Sequence, residues 1–113
     1  MEEKLFERAK KFLREAEDDI KKEFFDLAAF HLEQSLQLFL KAILLKKVGF
    51  FSKTHSIEIL KEEIEKVEPK IFELLQKNKE IVANLERAYI GARYLPFDYS
   101  KEEVEKMLKK FLK

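Results

Sequence analysis

The chain has 113 residues, 46% hydrophobic and 40% charged, enough for one domain around one buried core and too few for two. Its 23 Lys+Arg against 22 Asp+Glu leave a net charge of +1, so it lacks the global electrostatics of a nonspecific nucleic-acid binder and only a local basic patch stays open. Cysteine is absent, which excludes disulfides, zinc-thiolate sites and thiol nucleophiles.

Only two glycines and two prolines occur, too little turn punctuation for an all-β chain, so helices are expected. The charged start Met1-Glu2-Glu3-Lys4 runs straight into an amphipathic pattern and does not read as a signal peptide. Leu5, Ala9, Phe12, Leu13, Ala16 and Ile20 recur at intervals of three and four, which places them on one face of a first helix.

A second helix is predicted from about Phe24 to Val48. Leu27, Ala28, Phe30, Leu32, Leu36, Phe39, Leu40, Ile43, Leu44 and Leu45 wrap most of its circumference. A helix that is apolar nearly all round must be buried on several sides, so it is expected at the centre of the bundle or against a second subunit. Gly49 supplies a left-handed stop.

Residues 50–56 form a connection in which Ser52, Thr54 and Ser56 are each candidate N-caps. The third helix carries Ile57, Leu60, Ile64 and Val67. Pro69 suits the first turn of a continuation or a new helix, with Ile71, Phe72, Leu74 and Leu75 following and Asn78 marking a break. A helix over about Lys79 to Arg93 has the stripe Ile81, Leu85, Ala88 and Ala92, flanked by Val82 and Tyr89. Pro96 ends it. Ser100 and Glu103 read as a capping box for a short last helix with Val104, Met107, Leu108 and Phe111. The expected fold is all-α: an antiparallel up-and-down four-helix bundle with a short fifth helix at the C-terminus. With 11 Phe the apolar surface exceeds what one small core needs, and a homodimer is the simplest way to bury the rest. No apolar run is long enough to span a bilayer, and a cytoplasmic location is expected. Abundant Lys and Glu with scarce Asn and Gln point to a thermophilic source.

Chemistry-bearing motifs are few. Helical di-iron sites need Glu-x-x-His pairs, but Ala28 precedes His31 and Ser52 precedes His55 at that spacing. No metal and no cofactor are expected. Gly49 and Gly91 are isolated, so there is no phosphate loop and no glycine-flanked serine nucleophile. His31, Gln34 and Lys41 form a polar track on the central helix. It either faces a ligand or a second subunit, or is a partly exposed strip on a buried helix. His55 lies in the turn before the third helix, where it would cap or bond backbone groups. The segment Tyr89-Ile90-Gly91-Ala92-Arg93-Tyr94-Leu95-Pro96 sets an arginine beside two tyrosines. Such an arginine either satisfies the helix C-terminus or, with the rings, holds a phosphate or stacks on a base. Arg87 could extend that patch.

Three of these segments carry a family resemblance. The run from Phe24-Phe25-Asp26-Leu27-Ala28-Ala29 through Gln34 to Lys41-Ala42 resembles the long second helix of HEPN proteins. There an alanine-rich start leads to a Gln and then a Lys-Ala pair. Thr54-His55-Ser56-Ile57 resembles the Thr-His turn of that family, and Tyr89 through Pro96 resembles its late Tyr…Ala-Arg-Tyr-Pro segment, with Leu95 intruding before Pro96. Together they span nearly the whole chain in order. The resemblance implies a dimerising helical bundle associated with nucleotide or RNA binding, commonly encoded beside a minimal nucleotidyltransferase as a toxin–antitoxin pair. Its ribonuclease members carry an Arg followed, after about four to six residues, by a His that works in acid–base cleavage. Here Asp98, Tyr99 and Ser100 stand where that His would fall, and no His follows His55. Tyrosine, with a pKa of about 10, is a poor substitute. The resemblance therefore implies a noncatalytic binding member, with Arg93, Tyr94, Tyr89, His55 and Arg87 as candidate ligand residues. A pure protein–protein interaction module, and a weak ribonuclease in which His55 or His31 approaches Arg93, are the alternatives.

Overall fold

The computed structural model describes residues 2–93 and 100–111, with side chains described for 2–89 and 100–109. Within these, the chain forms α1 (Glu2–Lys21), α2 (Phe25–Val48), α3 (Ile57–Glu65), α4 (Pro69–Lys77), α5 (Lys79–Arg93) and α6 (Lys101–Phe111), and no strand. The fold class is the all-α one that the apolar spacing predicts. There are six helical segments among the described residues, against the expected four with a short fifth. The extra segment arises because the third rod breaks before Pro69, which occupies the first turn of α4 where its missing N–H has no helical partner to lose.

The breaks have local causes. α1 ends in a Schellman motif: Phe24 N–H donates to Asp19 C=O at 2.8 Å and Glu23 N–H to Ile20 C=O at 3.1 Å. Glu23 holds the left-handed position, φ 62°, that glycine usually takes. Gly49 closes α2 with φ 92° and donates to Leu45 C=O at 3.0 Å. Of the three candidate caps, Ser56 is the N-cap of α3, accepting from Ile59 N–H at 3.3 Å. Thr54 Oγ1 accepts from Ser56 N–H, and Ser52 Oγ donates to Glu63. Asn78 separates α4 from α5 and donates to Leu74 C=O at 2.9 Å. Ser100 and Glu103 form the reciprocal capping box, at 3.1 and 3.2 Å. Pro96 lies outside the described residues.

α2 is the central element, packed by α1, α3, α5 and α6. It runs antiparallel to α1: Phe6 meets Phe39 edge-on at 5.3 Å, Ser35 Oγ donates to Ala9 C=O at 2.7 Å, and His31 Nδ1 meets Asp19 at 2.5 Å. Ala16, Ala28 and Ala29 are sealed from solvent, and their small side chains let α1 and α2 approach closely. Leu32, Leu40, Ile57, Leu60 and Ile64 are also fully buried, with Val82, Leu85, Val104 and Met107 completing the core from α5 and α6. No described helix is long and apolar enough to cross a membrane.

Candidate functional site

One stripe of α2 departs from its apolar surroundings. Glu33, Gln37 and Lys41 follow one another at single turns, and all three are buried. Gln37 is the junction. Its Nε2 donates to Glu33 Oε2 at 2.8 Å and to the backbone oxygen of His55 at 3.2 Å, while its Oε1 faces His55 Nδ1 at 3.1 Å and Lys41 Nζ at 3.4 Å. Both donors and both acceptor sites of that amide are thus used. Through it, α2 holds the turn before α3 at two points, ring and backbone. A second amide, Gln34 Nε2, donates to Glu33 Oε1 at 2.7 Å.

Glu33 is shielded from water, with 0% of its surface exposed. Desolvation pushes its carboxyl up to about 7 from 4.5; the bonds from Gln37 and Gln34 oppose this, Glu86 adds to it, and Lys41 opposes it. Glu86 is pushed up as well, by desolvation first, against the bond its Oε1 accepts from Glu58 N–H. Burial pulls Lys41 down, with Glu33 opposing, and its ammonium lies 5.6 Å from the Phe51 ring centre. Glu33 therefore carries less than its full charge at neutral pH.

Aromatic rings flank it. Tyr89 of α5 stacks on His55, with centroids 5.4 Å apart and planes 21° apart, and on Phe30 at 6.5 Å and 20°. Glu33, His55, Ser56, Glu86 and Tyr89 line a cavity of about 250 Å³ beside this ladder. A larger cavity, about 490 Å³, lies among α1, α2, α4, α5 and α6, but it is almost wholly apolar. Its Ser35 and Asn78 already donate to backbone carbonyls. The smaller cavity is the one where polar groups with shifted ionisation converge with stacked rings, the usual signature of a binding site.

The family model of the HEPN domain matches residues 2–112. The chain belongs to the HEPN family. No curated protein and no solved structure matches it.

The structure brings all three HEPN-like segments together: Gln37 of the first bonds His55 of the second, and Phe30 of the first stacks on Tyr89 of the third. His55, from the Thr-His turn, and Tyr89, which opens the late segment, meet face to face at the cavity wall. Arg93 is the last residue of α5, one turn beyond Tyr89; its side chain and the whole of Tyr94 lie outside the described residues. Arg87 is exposed and does not line the cavity. The track of His31, Gln34 and Lys41 divides. Gln34 and Lys41 join the Glu33–Gln37 cluster; Lys41 is buried, while Gln34 and His31 are partly exposed. His31 sits two residues before Glu33, about 200° round the helix, where it pairs with Asp19 of α1 and lies against Phe12 and Phe30. Glu33, Gln37 and Glu86 are the site residues that sequence reasoning missed. The available signal was the Glu33–Gln37–Lys41 spacing of four on a helix otherwise apolar all round. Among the described residues, no group of three His, Asp or Glu could hold a metal ion.

Proposed function

We propose that this HEPN domain is a noncatalytic homodimer that binds a nucleotide or RNA segment, with the cavity beside His55 and Tyr89 as its base-binding pocket. Tyr89 and His55 bring their stacked rings to the cavity wall, against which a base can pack. Glu33 and Glu86 offer acceptors for the base edge. The cavity, at about 250 Å³, suits a base rather than a whole nucleotide, which leaves the phosphate to a group outside it; Arg93, one turn past Tyr89, is the candidate. The single observation that carries this reading is the convergence of Glu33, Glu86, His55 and Tyr89 on one cavity.

The noncatalytic reading rests on the sequence after Arg93, where Asp98, Tyr99 and Ser100 replace a histidine, and on His55 being clamped by Gln37. The dimer is supported by large apolar side chains left exposed along α2, among them Phe24, Leu27, Phe39 and Val48. A minimal nucleotidyltransferase, in a toxin–antitoxin arrangement, is the partner this reading assigns. The test is titration of nucleotides and labelled RNA against wild type, Arg93→Ala and Tyr89→Leu at low salt, with sedimentation of the free protein. Binding that weakens in both variants, to a protein that sediments as a dimer, is the expected result. Absence of binding in the wild type defeats the ligand half, and a monomer at micromolar concentration defeats the dimer.

One observation favours a second reading. His55 lies against Tyr89, a turn before Arg93, so a weak ribonuclease using His55 has a placed imidazole. Cleavage of labelled RNA that disappears in His55→Ala would establish it. His31, held by Asp19 on the other side of α2, has no such place.

A further inference from the structure

Gln37 sits between groups whose polarity is fixed. The backbone oxygen of His55 can only accept a hydrogen bond, and it lies 3.2 Å from Gln37 Nε2. That end of the amide is therefore the NH2 end, whether or not Glu33, at 2.8 Å, is ionised. The opposite end is the carbonyl oxygen Oε1, which can only accept. His55 Nδ1 lies 3.1 Å from it, so the hydrogen of that bond sits on Nδ1. The bond made by one ring nitrogen of a histidine decides the state of the other. With Nδ1 protonated, the neutral imidazole carries its lone pair on Nε2.

Most of His55 is already held by the protein. Gln37 takes its backbone oxygen and its Nδ1, and Tyr89 covers one ring face. What is left is the Nε2 edge, turned away from Gln37. It has no hydrogen-bond partner among the described residues. The residue is exposed and lines the cavity with Glu33, Ser56, Glu86 and Tyr89. A histidine needed only to solvate a turn gains nothing from being held at ring and backbone, because ordering a side chain costs rotamer entropy. Gln37 itself is 3% exposed, and placing an amide there in the core costs desolvation that an apolar side chain would not.

We propose that Gln37 is the positioning residue of the cavity: it fixes His55 as the Nδ1–H tautomer and turns the open Nε2 to the bound nucleotide. This rests on the nucleotide-binding reading above and adds the atom that meets the ligand and the residue that aims it. In the neutral ring, Nε2 takes a hydrogen from a hydroxyl or N–H of the ligand and has none to give to a phosphate oxygen.

Nitrogen NMR of the full chain at about pH 8, where imidazole is ordinarily neutral, reads the tautomer directly, with the His55 signals identified by their loss in His55→Ala. Wild type is expected to show Nδ1 protonated and Nε2 bare. AMP and GMP titrated at low salt are expected to move the Nε2 signal while Nδ1 keeps its proton. Gln37→Met fills the same space without an amide, and is expected to average the two tautomers and to weaken calorimetric binding about threefold to tenfold. Gln37→Glu keeps an acceptor for Nδ1–H and is expected to retain the wild-type tautomer, a rescue that packing alone would not produce. An Nε2–H ring in wild type, an unchanged Nδ1–H ring in Gln37→Met, or nucleotides that bind without moving Nε2 each overturn the positioning role. If the variants fold poorly, the wild-type tautomer and its Nε2 response decide alone. A fixed Nδ1–H in a wild type that binds no nucleotide overturns the nucleotide-binding reading and the ligand half of this proposal, while the hold of Gln37 on the tautomer stands.

Discussion

Replacing Glu33 with Gln tests whether the central carboxyl is held out of water at the expense of stability. In the unfolded chain Glu33 ionises near its ordinary 4.5; in the folded protein, desolvation raises this to about 7. Between those values the native state keeps a proton that the unfolded state has released. Raising the pH through that window therefore favours unfolding, and stability above it is lower by a constant amount. With about 1.4 kcal/mol for each pH step between the two values, the loss is about 3 kcal/mol, an upper bound because the site can relax or admit water. The isosteric amide cannot ionise. One of its two terminal groups still accepts from Gln34 or Gln37, and the other pairs once the facing amide turns over. The charged neighbours that act on Glu33 are Lys41 on the same helix and Glu86 on α5, and His55 before α3 shares the cavity wall with it. All three stay in the variant, so the difference between the two proteins isolates residue 33. Urea unfolding followed by helical circular dichroism, from about pH 5 to about pH 8, gives that difference. The expected result is that Glu33→Gln gains about 2–3 kcal/mol on wild type across the range. Parallel stability curves would refute the reasoning, because they would mean that Glu33 ionises alike in both states.

Three further outcomes follow from the fold. Glu23→Gly, which relieves a left-handed residue at the end of α1, should raise stability by about 0.5–1 kcal/mol in the same urea measurement. Leu32→Ala opens a cavity at a fully buried position of α2 and should cost about 2–5 kcal/mol, read as a lower urea midpoint with an unchanged slope. Ser100→Ala removes half of the capping box before α6 and should cost about 1 kcal/mol, seen as faster amide exchange across the first turns of α6.

Features encoded within a few residues were legible in the sequence. Gly49, Pro69, Asn78 and the Ser100–Glu103 pair act on backbone groups three to five residues away, and each marks a boundary where the sequence places it. The apolar wrap of α2 was legible too, because burial on several sides leaves no polar face to preserve. That same wrap concealed the site. Once α2 is read as apolar all round, Glu33 and Gln37 look like the remainder left to solvent. What buries them is α5 and the residue 50–56 connection: His55 lies 18 residues from Gln37 in the chain, and α5 is more distant still. The pairing of His31 with Asp19 is hidden for the same reason: it depends on the antiparallel register of α1 and α2. His55 and Tyr89 were singled out separately, one as a helix-start residue and the other as a neighbour of Arg93. Nothing in their spacing could say that their rings stack.

The burial of Glu33 also separates folding from function. A chain selected only for stability would place an apolar side chain there, because a well-packed apolar group usually matches or exceeds a buried polar one. Glu33→Leu removes the acceptor of two amides and leaves one N–H of the buried Gln37 unpaired, a cost of about 1–3 kcal/mol that the abolished ionisation cost of Glu33 offsets. Gln37 Nε2 keeps its bond to the His55 oxygen, and Gln34 is half-exposed and can reach water. The Lys41 ammonium keeps its contact with Gln37 Oε1 and loses the Glu33 charge that opposes its desolvation. At about pH 8, where wild-type Glu33 is mostly ionised, Glu33→Leu should therefore be at least as stable as wild type, and its nucleotide binding should be lost. That combination would mark Glu33 as a residue kept for its ligand, in line with the general trade between stability and activity at functional sites. A Glu33→Leu protein destabilised by more than about 2 kcal/mol at that pH would instead make the carboxyl a structural member of the α2–α3 junction, and the pocket would lose its strongest argument.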